Sequence, residues 1–467
     1  MKNSLILLLT LSSFSLITKA QMTVTVGSTT LDVDTVYYGT GSTGAFTGNN
    51  GMDIPWEILY GPDDHLWVTE RKGLISRIDP ITKMKSVVLN LSGTVYQNSE
   101  SGLLGMALHP DFENSPEVFI AYTYGGFGNI RERFEKYTFN GTNLVNPVVL
   151  LEDIIGNTTH IGCRIHFLPD NTILFSTGDA QNTSLPQNTN SLSGKILRMN
   201  MDGSIPADNP IPGNYVYSYG HRNVQGIASH PNGKIYLSEH GASTDDEFQV
   251  LDVNRNYGWP DVEGFCDLAG EQTFCQANNV IEPITVWTPT IAPSDMVYYE
   301  NPLIPELDGK ILMTVLKDKK LIAMELSTDG TSLVSETHYL TNTFGRLRDI
   351  CVGPQKEIYL ATNGASWSNT NPNTHAIIVL KTQDTGGLIE SGDFEITIFP
   401  NPVNDQFKIK CSENLLNSAY TISDLSGRLI SEGKISSVET TIYASQIAKG
   451  IYQLQIEGLS VSKKFVK

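Results

Sequence analysis

The sequence predicts an all-β protein, a six-bladed β-propeller followed by a small C-terminal β-sandwich. Three observations lead to this prediction. The 467 residues include 40 glycines and 22 prolines, which favour turns, and Thr, Val, Ile and Tyr are frequent between them, as in short strands. One phrase of turn and strand recurs along most of the chain. Residues 395–467 then contain short runs of alternating polar and apolar residues.

The recurring phrase is a proline in a polar turn followed by an apolar run that predicts a strand, as in LPDNTILFST and HPNGKIYLSE. Its prolines lie 48 to 74 residues apart, at Pro62, Pro110, Pro169, Pro231, Pro305 and Pro354. Repetition of one turn-and-strand unit is typical of a propeller, in which each blade repeats the same sheet. Because proline turns precede strands in many β proteins, the prediction of six blades depends on the joint spacing of all six phrases.

Residues 1–20 have the pattern of a secretory signal peptide. Lys2 supplies the positive charge, residues 5–17 form an apolar core, and small residues precede Gln21. This apolar run is too short to span a bilayer, and no later stretch has about 20 consecutive apolar residues. We therefore expect an exported chain with no transmembrane segment.

Composition divides the rest of the chain into domains. Residues 21–381 form the predicted propeller, residues 382–394 a linker rich in glycine and polar residues, and residues 395–467 the predicted sandwich. The chain has 50 acidic and 32 basic residues, a net charge of −18, whereas residues 395–467 have seven acidic and eight basic residues. The acidity of the first domain argues against nucleic acid or anionic lipid as a partner.

Five cysteines are present, and export would permit some of them to form disulfides. Cys266 and Cys275 are the only close pair, so we expect them to staple a loop. Cys163, Cys351 and Cys411 are expected to be buried and free, since none belongs to a metal-binding CxxC motif.

Two phrases contain candidate catalytic side chains. In THIGCRIHF, positions His160, Arg164 and His166 would share one face if the segment were a regular strand. In YGHRNVQG, Arg222 and Asn223 lie in a predicted loop between two strands. A single histidine is more often structural than catalytic, and an arginine in a turn is more often a surface residue, so both alternatives stay open.

An acidic segment after SEHG is a candidate metal site. It contains Glu239, Asp245, Asp246, Glu247 and Asp252, together with many turn carbonyls. Ca²⁺ takes six to eight oxygen ligands, including backbone carbonyls, so such a loop suits this ion. A solvated acidic loop without an ion is the alternative.

Three cations form a candidate anion site. Arg346 and Arg348 are two residues apart, and strand alternation would point both guanidinium groups to one side. Lys317 precedes them in VLKDKK. In so acidic a chain, paired inward cations indicate an anionic ligand, and a salt-bridged strand is the alternative.

Several phrases, in their order along residues 54–365, resemble the soluble glucose and aldose sugar dehydrogenases that bind pyrroloquinoline quinone. The matching text is PWEILYGPDDHLWVTER, SGLLGMALHPDF, SLSGKILRMNMDGSIPADNP, GHRNVQG, NYGWP, WTPTIAPS and GRLRDI. That family consists of six-bladed propellers. The resemblance implies oxidation of the anomeric hydroxyl of an aldose to a lactone, with the electrons passed from the quinone to an external acceptor.

The resemblance also implies roles for individual residues. His160 corresponds to the base that accepts the substrate proton, Arg222 acts with it, and Arg222 and Asn223 contact the cofactor. Glu100 falls where the family places a polar residue against the quinone. Lys317, Arg346 and Arg348 correspond to the clamp on the cofactor's carboxylates.

Calcium is implied at two positions. The carbonyls of Gly241 and Ala242 correspond to an ion beside the quinone, and Glu247 and Tyr257 to a further, structural ion. The sequence departs from the family in two places. The region of the sugar-contacting aromatic residue aligns only approximately, at Trp287 with Thr285 and Thr288 nearby, and Thr159 replaces an acidic residue before His160.

The tail resembles a different family. FPNPVNDQFKI, ISDLSGRLI, GIYQLQIEG and KKFVK are similar, in order and spacing, to the C-terminal sorting domain of type IX secretion substrates. This resemblance implies Sec export to the periplasm and then passage across the outer membrane by the type IX secretion machinery.

Two other functions fit a propeller of this composition. One is a calcium-dependent lactonase, which would need a cage of carboxylate and asparagine side chains on the propeller axis and would have no use for Lys317, Arg346 and Arg348. The other is a non-catalytic propeller that recognises a carbohydrate or a protein.

Overall fold

The computed structural model describes residues 22–38, 52–364, 375–383, 397–399, 403, 405–411, 415–416, 418–424, 428–456 and 462–467. The predicted signal peptide and most of the predicted linker lie outside these residues. The chain divides into two compact units, Met1–Gln383 and Asp384–Lys467. The all-β prediction is confirmed, because the described residues form 32 strands and one α-helix. No helix in these ranges is long and apolar enough to cross a membrane.

Six antiparallel sheets make up the described part of the first unit. The first two strands along the chain, β1 (Met22–Val26) and β2 (Thr29–Tyr38), belong to the last of these sheets. Sheet 1 contains β3 (Pro55–Tyr60), β4 (Leu66–Glu70), β5 (Leu74–Ile78) and β6 (Lys85–Asn90). Sheet 2 contains β7 (Leu103–Leu108), β8 (Glu117–Gly126), β9 (Asn129–Phe139) and β10 (Leu144–Ile155). Sheet 3 contains β11 (Gly162–Phe167), β12 (Ile173–Thr177), β13 (Lys195–Met199) and β14 (Val216–Tyr219).

The remaining three sheets follow the same pattern. Sheet 4 contains β15 (Val224–Ser229), β16 (Ile235–Glu239), β17 (Asp246–Val250) and β18 (Thr285–Trp287). Sheet 5 contains β19 (Pro293–Tyr299), β20 (Lys310–Val315), β21 (Lys320–Leu326) and β22 (Leu333–Tyr339). Sheet 6 contains β23 (Leu347–Val352), β24 (Ile358–Thr362) and β25 (Ala376–Thr382), and β2 and then β1 complete it.

The sheets are arranged as a closed ring. The first strand of each sheet contacts the first strand of the next, from β3 through β7, β11, β15 and β19 to β23, and β23 contacts β3 again. Each recurring proline phrase lies just before the second strand of its sheet, which is β4, β8, β12, β16, β20 or β24. The phrase therefore marks the same turn in all six sheets.

Apolar side chains fill the spaces between neighbouring sheets. Between sheets 2 and 3, the rings of Phe119, Phe134 and Phe175 are stacked, with centroids 6.1 and 5.2 Å apart along the series. Burial of such large rings supplies much of the hydrophobic free energy of folding. This packing fixes the first strands around the ring axis, where the candidate site lies.

The long connection between β17 and β18 contains the only helix of the described ranges, α1 (Ala269–Asn278), which the sequence analysis did not predict. Its first turn is capped by Glu271, whose carboxylate accepts the Leu268 N–H at 3.1 Å. The predicted disulfide between Cys266 and Cys275 is confirmed and ties the helix to the residues before it. The three other cysteines are buried and free, as predicted.

The second unit contains two sheets. Sheet 7 contains β26 (Thr397–Phe399), β27 (Gln406–Lys410) and β30 (Glu439–Tyr443). Sheet 8 contains β28 (Ala419–Asp424), β29 (Leu429–Lys434), β31 (Ile451–Ile456) and β32 (Ser462–Val466). Side chains of both sheets, among them Phe407 and Phe465, share one apolar core. The unit therefore has a core of its own.

Candidate active site

Four of the predicted site residues, Glu100, Lys317, Arg346 and Arg348, line two adjoining cavities. The main cavity, of about 280 Å³, is lined by Trp56, Glu100, Leu104, Ile161, Gly162, Gln225, His240, Ala292, Leu316, Lys317, Arg346 and Arg348. The side cavity, of about 110 Å³, is lined by Ile54, Trp56, Arg71, Ser99, Glu100, Arg346, Arg348 and Asn363. All six sheets, or the loops that enter them, contribute to the main cavity.

Arg346 and Arg348, whose guanidinium groups were predicted to point to one side, each line the main cavity and the side cavity. Burial, and then the neighbouring charge of Arg346, lowers the pKa of Arg348 to about 9. Burial likewise lowers the pKa of Arg346, against the opposing effect of Glu100. A lowered arginine pKa means that the cation lacks enough negative charge around it. An anionic ligand in the cavity would supply that charge.

Further contacts hold the clamp residues in place. Arg348 Nη1 donates to Gln225 Oε1 at 2.9 Å, and its guanidinium lies 5.7 Å from the ring centroid of Trp56. Lys317 Nζ donates to Thr290 Oγ1 at 2.7 Å at the opposite side of the main cavity. The three predicted cations therefore surround one cavity from sheets 5 and 6.

His160 lies just before β11, with its imidazole fixed at both nitrogens. Its Nδ1 lies 2.8 Å from Asp179 Oδ1, and its Nε2 lies 3.0 Å from Arg222 Nη2. A carboxylate can only accept and a guanidinium can only donate, so Nδ1 carries the proton and the lone pair of Nε2 accepts from Arg222. The His160 backbone N–H donates to Glu100 Oε2 at 2.9 Å, which connects the imidazole to the main cavity.

Asp179 is a site residue that the sequence analysis missed. It follows β12 by two residues and also accepts the indole N–H of Trp259 at 2.8 Å. Burial alone would raise the pKa of Asp179, but the hydrogen bonds from His160 and Trp259 outweigh it and lower the pKa. The carboxylate is therefore ionised and orients the imidazole. No local sequence signal marks Asp179; the structure shows that Gly178 before it permits the close approach, because a Cβ on residue 178 would lie 1.8 Å from the His160 carbonyl oxygen.

Arg222 and Asn223 connect the imidazole to sheet 4. Arg222 Nη1 donates to the His240 carbonyl at 3.1 Å, and its guanidinium lies 5.3 Å from the ring centroid of Trp259. Asn223 Oδ1 accepts the Gly162 N–H at 3.1 Å. Both residues lie in the predicted loop, between β14 and β15, and contact residues that line the main cavity.

The predicted calcium residues surround a third, very small cavity of about 10 Å³. Gly241, Glu247 and Tyr257 line it together with Glu239 and Glu263. Ala242 lies beside it, since its N–H donates to Glu263 Oε1 at 2.5 Å. Burial, and then the charge of Glu239, raises the pKa of Glu247 well above its usual value. A divalent cation would offset that charge, and carboxylate and carbonyl oxygens are the ligands that Ca²⁺ prefers.

The expectation that His160 shares one strand face with Arg164 and His166 is wrong, although Arg164 and His166 do line one cavity. His160 precedes the strand, Cys163 has φ of 69°, and the pairing of β11 with β12 shifts register between Gly162 and Ile165. Such a bulge breaks the alternation of side chains. Arg164 therefore faces the ring axis.

His166 and Trp287 lie in other surroundings. His166 Nε2 is hydrogen-bonded to Ser229 Oγ at 2.6 Å and lines a cavity that also contains Arg164. Trp287 lies on the outermost strand of sheet 4 and donates to Glu336 Oε2 at 3.0 Å. The indole beside the imidazole is that of Trp259 instead. Thr159, before the imidazole, accepts a hydrogen bond from Gln181.

The fold and site therefore define a protein with a closed ring of sheets, an oriented histidine and a nearby cavity lined by buried cations. Comparison with known proteins gives the family. The family model described as glucose/sorbosone dehydrogenase matches residues 52–368, and the chain belongs to this family. A second model, described as a secretion system C-terminal sorting domain, matches residues 397–467 and indicates a secreted or cell-surface protein.

Individual relatives agree with this assignment. An uncharacterised protein of Synechocystis is 32% identical over 67% of this chain and 82% of its own length. Quinoprotein glucose dehydrogenase B of Acinetobacter calcoaceticus is 35% identical over 47% of this chain, and the match spans only 53% of that enzyme. The solved PQQ-bound aldose sugar dehydrogenase of Streptomyces coelicolor is 30% identical, with a TM-score of 0.62 over 75% of this chain and 97% of that one.

Proposed function

We propose that this chain is an exported dehydrogenase that uses pyrroloquinoline quinone to oxidise the anomeric hydroxyl of aldoses to a lactone. In this proposal the six sheets of the first unit are the blades of a six-bladed propeller, and the second unit is a β-sandwich. The observation that carries the proposal is the oriented imidazole of His160 beside a cavity of buried cations. The domain limits are those expected from the sequence.

The charges that line the main cavity suit the quinone. Pyrroloquinoline quinone has three carboxylates, and Lys317, Arg346 and Arg348 would bind them through charge-assisted hydrogen bonds. Asn223 and Glu100 would contact the ring system at the side nearest to His160. When bound, the quinone supplies the acceptor for a hydride and two electrons.

His160 would accept the proton of the substrate, and Arg222 would stabilise the oxygen that loses it. The lone pair of His160 Nε2 can accept the proton of the anomeric hydroxyl when that hydroxyl takes the place of the Arg222 N–H, because Asp179 holds the other ring nitrogen in its protonated form. Arg222 Nη2 lies 3.0 Å from the same Nε2, so a sugar oxygen that reaches the base also reaches the guanidinium. The cation would stabilise negative charge as it develops on that oxygen.

Calcium would be held by the oxygen atoms around the small cavity. Gly241 and Ala242 would provide carbonyls for an ion near the quinone, and Glu247 and Tyr257 would provide ligands for a structural ion. When bound, Ca²⁺ supplies Lewis-acid polarisation of an oxygen beside it.

The buried carboxylates of the ring axis argue against the lactonase alternative. Glu57, Asp295 and Asp349 lie close enough together to hold an ion. However, the guanidinium of Arg164 contacts all three, at 2.6, 3.4 and 2.9 Å respectively. The cage that a calcium lactonase would need therefore contains an arginine.

The cellular route follows from the two ends of the chain. Residues 1–20 would direct Sec export to the periplasm, and residues 397–467 would be recognised by the type IX secretion machinery. An external acceptor would then reoxidise the quinone outside the cell.

Reconstitution tests the proposed function. Protein freed of metal and cofactor is titrated with the quinone, with Ca²⁺ and with both, and dye reduction is measured with glucose and other aldoses. We expect dye reduction only when both are present, and no hydrolysis of gluconolactone. Hydrolysis without quinone would favour the lactonase, and sugar binding without either activity would favour the recognition propeller.

A further inference from the structure

The side cavity adjoins the main cavity but has a cation of its own. The two cavities share Trp56, Glu100, Arg346 and Arg348 along their linings. Arg71, from the turn that follows β4 of sheet 1, also lines the side cavity. The volume of about 110 Å³ is ample for a carboxylate, since a water needs only about 10–15 Å³ on such a scale.

The backbone of Arg71 is fixed, whereas its guanidinium has an unused donor. The Arg71 N–H donates to the Ile54 carbonyl at 3.0 Å, and its carbonyl accepts the Leu103 N–H at 3.0 Å. Nη1 donates to the Ser99 carbonyl. Nε is buried and has no hydrogen-bond partner among the described residues. A buried N–H without a partner is unfavourable, so the described residues leave the Arg71 guanidinium incompletely satisfied.

Positive charge exceeds negative charge around the side cavity. Three guanidinium groups, those of Arg71, Arg346 and Arg348, face one carboxylate, that of Glu100. Glu100 Oε2 already accepts the backbone N–H of His160. Burial lowers the pKa of Arg71, as it does those of the two other arginines.

We propose that the side cavity is a second carboxylate pocket for the quinone, and that Arg71 donates to the carboxylate bound there. Arg346 and Arg348 lie between the cavities and would serve both, with Lys317 at the far side of the main cavity. The quinone would thus be held by cations from sheets 1, 5 and 6. This inference rests on the proposed function, because it assigns a residue to the same cofactor.

The Arg71→Met variant tests the inference through its affinity for the quinone rather than through its turnover. The substitution keeps most of the side chain's length and removes the charged donors. Titration of the purified apoprotein with quinone, followed by the absorbance of the cofactor, should show about 10- to 100-fold weaker binding. Arg77→Met is the matched control, because Arg77 lies in sheet 1 and pairs with Asp63 instead. It should bind quinone as the wild type does.

The three monomethyl esters of the quinone identify the contact. If Arg71 binds one carboxylate, esterification of that carboxylate weakens the binding of the quinone to the wild type. The same ester should then bind equally well to the wild type and to Arg71→Met. The two other esters should preserve that difference. An Arg71→Met defect that persists with all three esters would overturn the inference.

A purely positioning role for Arg71 gives another result. Arg71 could act only by holding Ser99 and hence Glu100, and Arg71→Met would then lower turnover while leaving quinone affinity unchanged. That result overturns the second pocket and leaves the proposed function intact if Arg346→Met still weakens binding. If neither variant changes quinone affinity, the proposed function fails as well.

Discussion

His160 adopts a backbone conformation that few side chains tolerate. Its φ of 57° lies in the left-handed region, which costs free energy for a residue with a Cβ. The hydrogen bonds from its backbone to Glu100 and from its ring to Asp179 hold it there. These contacts place Nε2 beside Arg222 without any need for substrate to reorganise the loop.

We predict that His160→Ala lowers turnover by at least about 10²-fold, because a positioned base contributes about 10²–10⁴ in rate. Quinone affinity should change little, since the cations that surround the cavity remain. His166→Ala is the matched control, because that imidazole is hydrogen-bonded to Ser229 and should be dispensable. Steady-state dye reduction and quinone titration give the two readouts. Unchanged turnover in His160→Ala would remove the imidazole from the reaction.

Arg348→Met should weaken quinone binding roughly 10- to 150-fold, which corresponds to the loss of about 1.5–3 kcal/mol. The melting temperature of the apoprotein should hardly fall. Burial and Arg346 already disfavour the charge of Arg348 in the empty cavity, as the pKa of about 9 indicates. A lower melting temperature with unchanged quinone affinity would mean that Arg348 is structural.

Sequence patterns identified the site residues that stand in distinctive phrases. They did not identify the residues that contact these side chains or share their cavities. His160, Arg222, Arg346 and Arg348 each stand in a distinctive phrase, and the structure brings them to adjoining positions. Asp179, Trp259 and Arg71 come from loops of three different sheets. Their closeness to the site depends on how the sheets pack, which no local pattern contains.

At the scale of the strands, the ring axis contains an ionic cluster. Glu57 of β3, Asp295 of β19 and Asp349 of β23 surround Arg164 of β11. One guanidinium cannot neutralise three buried carboxylates. Burial therefore raises the pKa of Glu57 to about 8, and Arg164 opposes this only in part.

This cluster predicts how stability depends on pH. The raised pKa of Glu57 means that the folded protein holds a proton that the unfolded chain releases near pH 4.5. The stabilisation is therefore complete below about pH 4.5 and is lost as the pH rises through about 8. We predict that the melting temperature falls by a few degrees over this range and that Glu57→Gln flattens the curve. If the melting temperature of Glu57→Gln fell with pH as steeply as that of the wild type, Glu57 would be ionised in the folded protein.

The repeated elements of the fold were predictable, and its irregular ones were not. Six proline phrases mark six second strands because the same turn is needed in every sheet. The bulge at Cys163 and helix α1 have no periodic signal. The first depends on packing against sheet 2, where Gly105 leaves room for the Cys163 carbonyl, and the second is stapled by a disulfide.

At the scale of the molecule, the two units have separate cores. We predict that truncation after residue 385 leaves the melting temperature of the first unit and its dye-linked activity unchanged and abolishes export past the outer membrane. The division of the chain between residues 383 and 384 supports this expectation. Fractionation of cells that produce each form measures export, and activity of the purified truncated protein is the control. Aggregation of the truncated protein would contradict the division.

Sheet 6 joins strands from opposite ends of the first unit, since Leu31 of β2 pairs with Thr382 of β25. The hydrogen bonds that complete sheet 6, the last sheet of the ring, therefore cannot form until nearly all of that unit has been synthesised and delivered. Contacts so distant in sequence make folding slow. A chain that passes through a narrow translocation pore would consequently remain without its finished ring during transit. The last strand of the ring is followed directly by the segment that leads to the sorting domain, so the final closure and the display of that signal would occur in immediate succession.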